Sequence, residues 1–73
     1  MGRLRVLSGR EVCQILERHG FARVRQRGSH IIMQRVTGIG TTTVPVPDHR
    51  ELLIATLRLI VRQSGLPRSE FET

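Results

Sequence analysis

The sequence predicts an α+β fold of order α-β-β-β-α, a three-stranded antiparallel meander with two helices on one face. Three observations carry this reading. An apolar stripe at helical spacing opens the chain behind a capping signal. Three short β-prone runs follow, separated by glycine turns. A second helical stripe then ends at Gly65 and Leu66-Pro67. With 73 residues the chain makes one small domain, residues 1–73, whose core is thin and whose functional sites are shallow.

Met1 to Arg5 form a short, loose basic arm. Ser8-Gly9-Arg10-Glu11 is a capping box, with Leu7 and Val12 placed to staple the helix entry. Val12, Ile15, Leu16 and His19 recur on one helical face, and Gly20 supplies the left-handed stop. The run Phe21 to Arg27 alternates with period two. Arg23, Arg25 and Arg27 share one face, Ala22 and Val24 the other. Gly28-Ser29 puts glycine first, as a type II′ hairpin turn requires. A second strand runs from His30 to about Val36, followed by a turn at Thr37-Gly38-Ile39-Gly40. The third strand, Thr41 to Val46, carries Pro45 and precedes Pro47, which places it at a sheet edge. Asp48-His49-Arg50-Glu51 reads as a second capping box, with Thr56 as an alternative cap. Leu53, Leu57, Ile60 and Val61 form the closing stripe, with Arg58 and Arg62 off it.

The turns set a register. A two-residue turn at Gly28-Ser29 pairs Arg27 with His30, Arg25 with Ile32 and Arg23 with Gln34. The next turn pairs Met33 with Val44 and Ile31 with Val46. Val24, Ile31, Met33, Val44 and Val46 then make the core face. Arg23, Arg25, Arg27, His30 and Gln34 make the opposite face, where Ile32 is the apolar exception.

All 12 basic residues are arginines, against 6 acidic ones, for a net charge of +6. So strong an imbalance on a short chain favours a polyanionic partner, nucleic acid first. Arginine also grips phosphate oxygens in pairs. The single cysteine, Cys13, permits no internal disulfide, and no apolar run reaches membrane-spanning length or forms a signal segment. A cytoplasmic protein without a membrane partner is expected. His19, His30, His49 and Cys13 lack metal-site spacing, and there is no glycine-rich phosphate loop; no metal or small-molecule cofactor is expected. His19 suits a helix C-terminus and His49 a loop before the last helix, while Cys13 reads as inert packing. The register sets the His30 imidazole beside three guanidinium groups, an arrangement suited to phosphodiester chemistry. Alternating arginine is also what an ordinary solvated sheet face carries, and spacing alone leaves both readings open.

Several stretches resemble the HicA-type toxins of bacterial toxin–antitoxin pairs. They are Ser8 to Val12, His19-Gly20-Phe21, Arg25-Gln26-Arg27-Gly28-Ser29-His30, Val44-Pro45-Val46, Glu51-Leu52, Thr56-Leu57-Arg58, Arg62 to Leu66, and Glu70-Phe71. Gly-Ser-His is the specific part. The resemblance implies a fold like that of double-stranded-RNA-binding domains and an activity that cleaves messenger RNA. It implies a HicB-type antitoxin partner and a catalytic histidine in Gly-Ser-His, here His30. Arg23, Arg25, Arg27, Gly28 and Ser29 are the residues expected to bind RNA. Two positions depart from the family pattern: Pro47 stands where histidine is frequent, and Ile54-Ala55 where Pro-Gly is frequent. A non-catalytic RNA-binding module, or a degenerate toxin that only binds its antitoxin, is the alternative reading, since fold does not fix function.

Overall fold

The computed structural model describes residues 2–73. Its elements are α1 (Gly9–Arg18), β1 (Ala22–Arg27), β2 (His30–Thr37), β3 (Gly40–Pro47) and α2 (Ile54–Ser64), closed by a 3₁₀ turn at Arg68–Phe71. The strands form one antiparallel sheet in the order β1-β2-β3. This is the expected α+β arrangement, and it is consistent with a double-stranded-RNA-binding-domain-like fold.

The start of α1 follows from its capping box. The Ser8 hydroxyl accepts from the Glu11 amide at 3.0 Å, and the Glu11 carboxylate accepts from the Ser8 amide at 2.9 Å. The Ser8 amide, helped by the Ser8 hydroxyl and the Arg5 charge, holds the Glu11 carboxyl below its usual range. Leu7 and Val12 are both buried, as a staple requires. Gly20 ends the helix with φ +90°. His19, the C-cap, places Nε2 2.7 Å from Glu70 Oε1, which ties the helix end to the 3₁₀ turn.

The second hairpin has the expected register, with Ile31 opposite Val46 and Met33 opposite Val44. Its turn is tighter than expected. Thr37 pairs with Gly40, which leaves a two-residue turn at Gly38-Ile39 and lengthens both strands. Ile31, Met33, Val44 and Val46 join Val12, Ile15, Leu16, Leu57, Ile60 and Phe71 in one core beneath both helices.

β1 departs from simple alternation. Arg27 pairs with His30 and Arg25 with Ile32, but Arg23 pairs with Met33 rather than Gln34, because a β-bulge leaves Val24 unpaired. Val24 is 46% exposed and not part of the core. The cause lies one residue ahead of the strand. In strict alternation Phe21 would share the open face with Arg23, Arg25 and Arg27. One inserted residue changes the phase and buries the ring to 3% exposure.

The Asp48–Glu51 segment is not a helix cap. α2 begins at Ile54 behind Leu53, which makes no side-chain cap bond and is 75% exposed. Tertiary bonds hold the segment away from helical geometry. The Asp48 amide donates to Ser29 O, the Leu52 amide to Leu7 O, and Arg10 pairs with the Asp48 carboxylate. Leu52, not Leu53, takes the buried place, and Thr56 lies inside the helix. Ile54 and Ala55 form the first turn of α2.

The N-terminal arm is also tied down. Leu4 bridges to Glu72, and Arg5 and Thr73 amides bond across to Phe71 and Arg3 carbonyls. Met1 lies outside the described residues. Arg35 of β2 joins the two helix ends. It donates to His19 O and Ser64 O, and its guanidinium lies 4.8 Å from the Phe21 ring centre. A cation there complements both helix C-termini.

Candidate active site

His30 is the first residue of the central strand, set by the turn before it. Gly28 has φ +58°. Among the described residues no non-glycine has positive φ, so Ser29 does not, as expected of a glycine-first type II′ turn. The turn is anchored from outside the hairpin: Ser29 O accepts from the Asp48 amide at 2.6 Å. Gly9 closes the same corner. Its amide donates to His49 O, and a side chain on Gly9 would run into the Pro47 carbonyl. The start of α1, the first hairpin turn and the exit of β3 thus brace one another, with His30 at their edge.

Ladder pairing orders the sheet face away from the helices into rungs. One rung is Arg27, His30 and Pro47; the next is Arg25, Ile32 and Pro45. The third holds Ala22, Gln34 and Thr43, where Gln34 donates to the Thr43 hydroxyl at 3.2 Å. Arginines line the β1 side and prolines the β3 side, with His30 between them. His30, Arg25, Arg27, Gly28 and Ser29 are all exposed. Ile32 is 6% exposed yet lies outside the helix-covered core, so it forms a floor within this face. A shallow depression of about 420 Å³ is lined by Arg27, His30, Ile32 and Pro45.

Of the expected site residues, the fold gathers His30, Arg25, Arg27, Gly28 and Ser29 but turns Arg23 away. Arg23 faces the α1–β1 cleft, where it lines a 200 Å³ pocket with Arg10, Cys13 and Glu17, and it donates to Gln26 Oε1 at 2.6 Å. The available signal was Phe21, an aromatic residue in phase with the arginines. Pro45 and Ile32 also lie beside His30, a placement the register signals, although an isoleucine on a polar face reads as a misfit in sequence.

No carboxylate belongs to these rungs. The ion pairs among the described residues are Arg10–Asp48, His19–Glu70 and Arg68–Glu72, all elsewhere. The face therefore offers uncompensated guanidinium groups, which hold phosphate oxygens, next to an imidazole, the side chain suited to moving a proton near neutral pH. Among the described residues no three His, Cys, Asp or Glu side chains gather where they could hold a metal ion.

A family model described as HicA toxin of bacterial toxin-antitoxin matches residues 9–66. The chain belongs to the HicA toxin family. The match runs from the first residue of α1 to just past α2 and contains the whole His30 face. No curated protein matches the chain closely enough to count as a relative. As a HicA-family member the chain is a toxin of a toxin–antitoxin system, with an antitoxin as its partner. No helix among the described residues is long and apolar enough to cross a membrane.

Proposed function

We propose that this HicA-family toxin is a metal-independent endoribonuclease of the cytoplasm that cleaves messenger RNA, with His30 as general base and a HicB-type protein as its antitoxin. The observation that carries the reading is the place of His30. It is exposed at the start of the central strand, in Gly28-Ser29-His30, beside Arg27 on a face without carboxylates.

The chemistry follows from the residue types. His30 removes the proton of a ribose 2′-hydroxyl, and the 2′ oxygen attacks the adjacent phosphorus. The bond from phosphorus to the 5′ oxygen breaks, leaving a 2′,3′-cyclic phosphate and a 5′-hydroxyl whose proton comes from water. Arg25 and Arg27 hold the non-bridging oxygens and offset the charge that builds there. A divalent cation would need hard oxygen ligands, and these rungs carry no carboxylate to provide them.

The test is cleavage of an unstructured RNA by the purified chain and by His30→Ala, with and without a chelator. Loss of a general base costs about 10²–10⁴-fold in rate. The exposed position of His30 leaves the fold unchanged, which circular dichroism checks. Chelator should leave the rate unaltered, and the products should carry cyclic phosphate ends. Full cleavage by a folded His30→Ala protein removes His30 from this role.

A further inference from the structure

We infer that the Ile32–Pro45 shelf beside His30 seats one unpaired nucleobase, that of the nucleotide on the 5′ side of the cleaved bond, so that the substrate is single-stranded there. The inference rests on the nuclease reading above and adds a binding subsite to it.

The depression at His30 has two unlike sides. Arg27 and His30 are polar; Ile32 and Pro45 are apolar and lie directly opposite each other across β2 and β3. Ile32 is 6% exposed although no helix covers this face, so it is packed level with its neighbours and forms a floor. Pro45 is exposed and lines the edge of that floor. Strands lie about 4.8 Å apart, so the arginine side and the proline side are about 10 Å apart. One nucleotide covers that span. With its 3′ phosphate on Arg25 and Arg27 and its ribose over His30, its base falls on Ile32 and Pro45.

The usual base platforms are aromatic rings. They are not available here: the chain has no Trp or Tyr, and both Phe21 and Phe71 are buried. The apolar surface in the rungs around His30 is aliphatic, the Ile32–Pro45 shelf with Pro47 beside His30. A base within a duplex is stacked and paired and cannot reach it, whereas a single strand can splay a base outward.

The experiment uses a short unstructured RNA whose cleavage position has been mapped. The nucleotide 5′ to the cleaved bond is then replaced by an abasic one. Wild-type kcat/KM should fall about tenfold for the abasic RNA, a smaller loss than the largest seen for aromatic platforms. An abasic site several nucleotides away should have little effect. Pro45→Ala should lower kcat/KM on intact RNA about three- to fivefold, roughly the worth of one buried methylene, and shrink the abasic penalty. Pairing the cleaved bond into a duplex should suppress cleavage. Equal cleavage of intact and abasic RNA, or an undiminished abasic penalty in Pro45→Ala, overturns the shelf while a His30-dependent nuclease stands. A chain that cleaves no RNA overturns the nuclease reading and this inference with it.

Discussion

Arg25 and Arg27 differ from Arg23 in the face they occupy, and that difference is measurable one residue at a time. Both sit on the rungs with His30 or beside it, and neither is neutralised by a carboxylate among the described residues. Arg23 is held in the α1–β1 cleft by Gln26. Each phosphate contact to a single strand adds about −0.7 to the slope of log affinity against log salt. Arg25→Ala and Arg27→Ala should therefore each flatten that slope by about 0.7 in a salt series of RNA-binding titrations, using His30→Ala as background to stop cleavage. Arg23→Ala should stay close to the parent slope, and an equal flattening by all three would show that RNA reaches both sides of β1. The neighbouring Cys13 has a different outlook. Burial, reinforced by the Glu17 charge, pushes its thiol up to about 11. The thiolate is the reactive form, so at pH 8 the native chain should react with a thiol reagent about a hundredfold more slowly than free cysteine. Denaturant should restore the rate. Fast labelling of the native chain would mean that the α1–β1 cleft opens.

At the scale of elements, short-range signals were readable and long-range ones were not. The capping box of α1, the glycine-first turn before His30 and the edge position of the proline-bearing strand are decided within a few residues, and each stands as expected. That is why the pairing of His30 with Arg27 was legible. Two features are decided by distant contacts. The capping-box pattern at Asp48–Glu51 loses to bonds from Ser29, Leu7 and Arg10. The alternation of β1 loses to the burial of Phe21 in the core under Arg35. The bulge account makes a paired prediction. Deleting Val24, the unpaired residue, restores a regular ladder with Phe21 still inward, so stability should change by less than about 1 kcal/mol. Deleting Ala22 instead shifts Phe21 to the open face while the rest of β1 keeps its partners. That should cost about 3–5 kcal/mol, comparable to removing a buried Phe, and urea denaturation reads both. Equal losses from the two deletions would mean that the bulge does not exist to seat Phe21.

On the whole molecule the charges are sorted. Four of the six acids are engaged locally: Glu11 in the α1 cap, Asp48 with Arg10, Glu70 with His19 and Glu72 with Arg68. Part of the net charge of +6 stands uncompensated on the rungs, which carry Arg25 and Arg27 and no carboxylate. Long-range attraction of an anionic partner is strongest toward such a face. The toxin also has to be held by its antitoxin, and a partner of ordinary size buries about 800 Å² on each side. That is roughly a sixth of this molecule's 4999 Å² surface, far more than the few exposed side chains around His30. An inhibitor seated on the rungs thus covers His30, Arg25 and Arg27 together, and acidic side chains on it would meet their charge. We expect the antitoxin surface to be acidic and to enclose His30. The double substitution Arg25→Ala/Arg27→Ala should then weaken RNA binding and antitoxin binding together, and rising salt should slow antitoxin association in the parent more than in the variant. Calorimetry and stopped-flow association with the cognate antitoxin make the measurement. If RNA affinity falls while antitoxin affinity and its salt dependence are unchanged, the antitoxin holds the toxin through a surface other than the His30 face.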